Sequence, residues 1–193
     1  MGWVALLDAC VLYPTSTRDL LLRASERGLF QIRWSDEIID ELVRNLVADK
    51  RCTPEQAAEL VRHMRLAFPE AVVSGYQKLV PTMGNHPGDR HVLAAALVAQ
   101  ASVIVTDNSG HFPVESCEPY AIEVQTADEF LSYSFDLAPD AMAAVFLGQV
   151  RDFRRPRFDA ATALSILDQR LPAFAGRLRE SRRVAEEVAR GDG

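Results

Sequence analysis

The sequence predicts an α/β fold built on a parallel sheet flanked by helices, followed by a helical appendage. Three observations carry this. Ser102-Val103-Ile104-Val105-Thr106 is a short apolar run that stops abruptly on Asp107, and the chain opens the same way, Trp3-Val4-Ala5-Leu6-Leu7 running into Asp8. Short continuous apolar runs of this kind are strands buried on both faces. Strand-like runs then alternate with helix-period segments as far as Val124, which calls for crossover connections and a parallel sheet. From Phe135 onward no further strand pattern appears.

After the first strand, Ala9 to Pro14 reads as a turn. Thr17 is expected to cap a helix to about Arg27 that Gly28 stops. A strand around Phe30 to Arg33 follows. Ser35 then caps a helix whose Asp36 and Glu37 complement the positive end of the dipole. Ile38, Ile39, Leu42, Val43 and Leu46 form its apolar face, with Glu41 and Asn45 at the border. Thr53-Pro54-Glu55-Gln56 has the capping threonine, first-turn proline and reciprocating glutamine of a capping box, opening a helix to about Ala67. Ala71-Val72-Val73 is a candidate third strand. Pro81 to Gly88 is a loop leading into a helix from Asp89 to about Ala99. A last strand is expected over Tyr120 to Val124, and Thr126-Ala127-Asp128-Glu129 is a second capping box. Helices over 139–151, 159–170 and 172–190 make up the appendage. The expected division is residues 1–134 for the sheet domain and 135–193 for the appendage.

The chain has 193 residues, enough for one α/β domain with an appendage, and its 48% apolar and 25% charged residues exclude a disordered chain. The opening residues lack a basic flank and are broken by Asp8, and the longest apolar stretch, Val92 to Val105, is interrupted by Gln100 and too short to cross a bilayer. A cytoplasmic protein with no membrane partner is therefore expected. Cys10, Cys52 and Cys117 are widely spaced and read as isolated buried thiols. His63, His86, His91 and His111 show no zinc-ligand spacing and read as solvated or hydrogen-bonded side chains. The net charge of −6 is unevenly spread: residues 1–150 hold 11 Lys and Arg against 20 Asp and Glu, residues 151–193 hold 10 against 7. A basic segment that could meet phosphate thus follows an acidic body.

Ligands of open α/β sheets bind outside the carboxyl ends of the strands, so Asp8 and Asp107 mark the edge where chemistry is expected. Asp89 joins them. On a 3.6-residue period Val92, Leu93, Ala96 and Leu97 cluster around the direction of Asp89, placing an acid in the first turn of the core-facing stripe. Burying a lone carboxylate costs several kcal/mol, of which the helix N-terminus offsets about 0.3–1 kcal/mol. A cap or an arginine partner would satisfy Asp89 alone. Three acids crowded at one edge instead call for a hard divalent cation, and oxygen-only ligands select Mg²⁺ or Mn²⁺.

The sequence resembles the PIN-domain ribonucleases, and among them the VapC-type toxins of bacterial toxin–antitoxin systems. The matching segments are Leu7-Asp8-Ala9-Cys10-Val11-Leu12-Tyr13-Pro14, Trp34 to Leu42 (WSDEIIDEL), Gly88 to Ala96 (GDRHVLAAA) and Val105 to Pro113 (VTDNSGHFP). The likeness covers residues 3 to 131, and it makes the expected sheet domain PIN-like. Carried over by position, the family's acidic cluster falls on Asp8, Glu41, Asp89 and Asp107. Glu37 and Asp40 are acids of the same helix as Glu41, so its choice rests on the resemblance. Two positions depart from common relatives: Cys10 stands where many have Asn or Ser, and some carry a further acid near His111. The resemblance implies metal-dependent endonucleolytic cleavage of RNA, with Asp8, Asp89 and Asp107 as ligands and Glu41 as ligand or water-orienting group. It also implies a structured RNA substrate such as tRNA, a homodimer and a cognate antitoxin. Arg154, Arg155 and Arg157, around Pro156, are candidate RNA-binding groups, and Arg177, Arg179, Arg182 and Arg183 form a second basic cluster.

Three other readings compete. A haloacid-dehalogenase-like phosphatase needs a second aspartate two residues after Asp8, where Cys10 stands. A response-regulator receiver needs a lysine late in the sheet, whereas Lys50 and Lys78 are badly placed. A catalytically silent PIN-like module binding RNA or protein is not favoured, because all four acids are present.

Overall fold

The computed structural model describes residues 3–153 and 159–191. Val4–Leu7 (β1), Gln31–Ser35 (β2), Val72–Val73 (β3), Val103–Val105 (β4) and Glu123–Gln125 (β5) form one sheet in the order β3-β2-β1-β4-β5. Every pairing is parallel, with Leu6 opposite Arg33 on one side and Leu7 opposite Val105 on the other. The α/β expectation is met, and the apolar runs explain the middle of the sheet: Ala5 to Leu7 and Val103 to Val105 are buried on both faces.

Strand order also locates a crevice. From β1 the chain moves outward to β2 and β3, then returns to lay β4 on the other side of β1 and β5 beyond it. The order reverses between β1 and β4, and the carboxyl ends of strands flanking such a reversal are where open sheets hold ligands.

Helices are Ala9–Leu12 (α1), Thr15–Glu26 (α2), Asp36–Ala48 (α3), Pro54–Ala67 (α4), Arg90–Val98 (α5), Val114–Cys117 (α6), Ala127–Leu137 (α7), Pro139–Asp152 (α8), Ala160–Asp168 (α9), Pro172–Glu180 (α10) and Arg182–Gly191 (α11). The chain forms two compact units: residues up to Thr15 with Phe30–Thr126, and Ser16–Leu29 with the chain from Ala127 on. In the first, α5 packs across β1, β2 and β4, while α3 packs against α1 and α4. Trp34, Ile38, Leu42, Leu93 and Ile104 are buried there. In the second, α10 packs on α7 and α9, burying Phe130, Leu131, Phe174 and Leu178.

Local chemistry sets most boundaries. Ser35 Oγ accepts the Ile38 N–H at 3.2 Å, and Thr53 and Gln56 exchange the two bonds of a capping box. Gly28, at φ +74°, closes α2 in the left-handed region where an L side chain is strained. Several details differ from the sequence reading: Thr17 lies inside α2 rather than capping it, and the last strand begins at Glu123 rather than Tyr120, which closes a 3-10 turn. The segment after β1 is a helical turn, because Asp8 caps it. The loop before α5 is largely 3-10 helix, at Gln77–Thr82 and Pro87–Asp89. The final helix breaks at Ser181, whose backbone is extended at ψ 118°, giving α10 and α11. Among the described residues no helix is long and apolar enough to cross a membrane.

Candidate functional site

Asp8 ends β1 and is 3% exposed. Its Oδ1 accepts the Ala9 N–H at 2.7 Å, so the carboxylate that ends the strand also caps α1. Its Oδ2 accepts the Thr106 hydroxyl at 2.7 Å and the Cys10 thiol at 3.4 Å. Thr106, wholly buried just after β4, receives the Asn108 N–H at 3.1 Å. Cys10 Sγ lies 3.3 Å from Thr106 Oγ1 and accepts the Asp107 N–H at 3.3 Å. A small network thus joins the ends of β1 and β4 across the reversal. Burial, and then the charge of Asp8, push the Cys10 thiol up to about 12, so it is a neutral donor to Asp8.

Glu41 stands half-buried on α3. Burial raises its carboxyl above the ordinary value of 4.5, the charges of Asp8 and Asp89 raise it further, and His91 and Arg44 act against them. Like charges within reach of one another disfavour ionisation, so three acids from three elements share one field.

Asp89 precedes the first residue of α5 and its side chain is 16% exposed. Its carboxylate makes no capping bond to that helix. His111 Nδ1 lies instead 2.5 Å from Asp89 Oδ2, and the His86 ring stacks on His111 with centroids 4.2 Å apart. The arginine beside Asp89 turns away, Arg90 Nε donating to the Asn85 carbonyl at 3.3 Å. Asp107 is exposed and is linked to the network through its backbone N–H.

The structure thus brings Asp8 and Asp89 each within electrostatic range of Glu41 and ties Asp107 to Asp8 through Cys10. Among the described residues, however, the group whose ligand atoms all lie within 4.8 Å of one another is His86, Asp89 and His111. Thr106 and His86 were not singled out from the sequence as site residues, and Cys10 and His111 only as positions where this chain departs from relatives. His86 and His111 are 25 positions apart and meet only because the loop before α5 lies against the turn after β4, where the His86 N–H donates to the His111 carbonyl at 3.0 Å. Cys117 is buried as expected, while Cys10 and Cys52 are half-buried.

Arg154, Arg155 and Arg157 lie outside the described residues. In the second unit three of the four other arginines expected as a basic cluster are drawn into ion pairs. Arg177 grips Asp136 with two bonds at 2.7 and 2.9 Å, Arg179 pairs with Asp168, and Arg182 pairs with Glu186 at 2.8 Å.

Comparison with known proteins bears on the family. The family model described as PIN domain matches residues 4–110, and the one described as VapC50 C-terminal domain matches residues 127–180. A Mycobacterium tuberculosis protein named "Putative ribonuclease VapC50" is 42% identical over 109 residues. That alignment covers 56% of this chain and 64% of the relative, so the chain spans less than two thirds of the relative's length. No solved structure matches. The PIN model runs from the first residue of β1 past the acid that follows β4, taking in the whole reversal and more than half of the sequence: the chain belongs to the PIN-domain family.

Proposed function

We propose that this chain is a divalent-cation-dependent endoribonuclease that hydrolyses RNA phosphodiester bonds at the edge carrying Asp8, Glu41, Asp89 and Asp107, and that it is the toxin of a toxin–antitoxin pair acting in the cytoplasm. The observation that carries the reading is the placement of Asp8 directly after β1, Asp107 after β4 and Asp89 directly before α5, at the carboxyl ends of the strands where the strand order reverses, with Glu41 on α3 close enough to feel the charges of Asp8 and Asp89. Membership of the PIN family and the name of the mycobacterial relative support it.

The residues fit a hard cation. A carboxylate offers about four lone-pair positions, and Asp8 uses three of them for Ala9, Thr106 and Cys10. One remains, on a side chain already fixed in direction. Oxygen donors from Asp8, Glu41, Asp89 and Asp107 suit Mg²⁺ or Mn²⁺. When bound, such a cation supplies positive charge for the phosphate oxygens and acidifies water at the site.

The chain's own residues supply the rest. Thr106 and Cys10 hold Asp8 in place by hydrogen bonds, so the carboxylate is oriented before substrate arrives. Glu41, held on α3 at the same edge, orients the attacking water and accepts its proton. The substrate is a structured RNA such as tRNA, the active form is a homodimer, and a small antitoxin blocks the acidic edge. Arg154, Arg155 and Arg157 bind RNA phosphates.

Purified chain should cut RNA with Mg²⁺ or Mn²⁺ and stop in EDTA. Undiminished cleavage in chelator, after repurification to remove contaminating nuclease, overturns the reading. A short adjoining reading frame encoding a DNA-binding protein supports the toxin assignment, and the absence of any neighbouring antitoxin gene opposes it.

A further inference from the structure

We infer that His86, Asp89 and His111 form a second, nitrogen-containing cation site that takes a borderline divalent ion such as Zn²⁺ in preference to Mg²⁺. This goes beyond the proposed nuclease function and does not rest on it, since the two sites share only Asp89.

Three features build the site. Each residue offers one ligand atom, and all three atoms lie within 4.8 Å of one another. In a tetrahedral zinc site, with bonds of about 2.0–2.1 Å to nitrogen, donors stand about 3.3 Å apart, so closure asks for movements of about 1 Å from side chains that are exposed or partly exposed. The backbone holds the three residues in place: the His86 N–H donates to the His111 carbonyl at 3.0 Å and the Asp89 N–H to the His86 carbonyl at 2.9 Å. Asn85, buried beside them, adds a bond from its side-chain amide to the Asp89 carbonyl at 3.0 Å.

An ordinary ion pair accounts for less of this. A surface pair contributes about 0–1 kcal/mol and needs only Asp89 and His111, whereas the His86 ring is laid over His111 at an interplanar angle of 18°. Two imidazoles with one carboxylate are the donor set of zinc and later transition ions, and Mg²⁺, which prefers oxygen and keeps its water, is poorly served by it. Three protein ligands leave a coordination position open. A bound ion would clasp the segment before α5 to the turn after β4, and it would draw the Asp89 carboxylate towards the histidines.

The test uses the full chain stripped of metal by chelator and then kept in millimolar Mg²⁺ to fill oxygen-only sites. Zn²⁺ is titrated by calorimetry and Co²⁺ by visible absorption. One Zn²⁺ per chain is expected, with affinity falling at least about tenfold, the lower end of what even an outer-shell change costs, in His86→Ala and again in His111→Ala. The Co²⁺ bands should disappear in the double variant, while His63→Ala and Glu41→Gln keep the site. Circular dichroism of the metal-free variants checks that they fold. Isotherms unchanged in the double variant, or Mg²⁺ displacing Zn²⁺ at equal concentration, would overturn the site. A chain that binds Zn²⁺ through these residues yet, stripped of Zn²⁺ and given Mn²⁺, cuts no RNA upholds this inference and removes the nuclease reading; cleavage by a chain without histidine-dependent Zn²⁺ binding does the reverse.

Discussion

The Thr106 hydroxyl donates to Asp8 Oδ2 across 2.7 Å, linking the ends of two parallel strands that are 98 residues apart in sequence. Both groups are buried, so the bond is made to a charged acceptor away from water. Removing it with Thr106→Val, which keeps the shape, should cost about 1.5–3 kcal/mol, the range for hydrogen bonds to charged groups. Urea denaturation of Thr106→Val and Thr106→Ser measures this. The serine variant, which keeps the donor, should lose much less, and a valine variant as stable as the native chain would mean the hydroxyl contributes nothing.

Glu41→Gln should raise the melting temperature of the cation-free chain at neutral pH by up to a few degrees. The folded carboxyl titrates above its ordinary value of 4.5 because of burial and the charges of Asp8 and Asp89. The unfolded chain therefore ionises Glu41 first as pH rises. The stability this group gives as a neutral acid is fully present below about pH 4.5 and is lost as pH climbs through the raised folded value. The glutamine variant should accordingly outlast the native chain at pH 7 and match it near pH 4. An advantage that persists undiminished at pH 4 would assign the effect to something other than charge.

Cys10 should resist alkylation. Only the thiolate attacks iodoacetamide, and this thiol is pushed up to about 12. Mass spectrometry of partly alkylated chain at pH 8.5 should show Cys52 modified and Cys10 intact, with Cys10 reacting once urea unfolds the chain. Fast labelling of Cys10 in the folded chain would contradict the neutral-donor role given to it.

The second unit holds a cap that local sequence does not reveal. Asp128, in the first turn of α7, accepts the Ala173 and Phe174 N–H groups at 3.0 and 2.8 Å, closing the start of α10, whose own N-cap residue is Leu171. Asp128→Ala should cost about 0.5–2 kcal/mol, the range for a lost cap. A loss of helical signal at lower urea than in the native chain checks it, and an unchanged transition would show that α10 needs no such acceptor.

These cases separate what the sequence could show from what it could not. Apolar runs ending on Asp8 and Asp107 were readable because central parallel strands are buried on both faces and must stop where polar chemistry begins. Ser35 and Thr53 were readable because their bonds reach only three residues. The pairing of Thr106 with Asp8, the approach of His86 to His111 and the capping of α10 by Asp128 depend on which distant segments the fold brings together. Asp89 lay between the two. Its place on the apolar stripe of α5 flagged a carboxylate needing a partner, but that the partner is His111 rather than Arg90 is a matter of tertiary packing.

RNA cleavage by Asp89→Asn, followed at saturating Mn²⁺ alongside its circular dichroism melt, tests the central claim most directly. The substitution keeps the shape of the side chain and removes one charge from the field that Asp8, Glu41 and Asp89 share. The account predicts that cleavage falls to background while the fold persists with an equal or higher melting temperature in the absence of cation. A folded variant that cuts RNA at the native rate would contradict it, leaving Asp89 as the partner of His111 and no part of the nuclease chemistry.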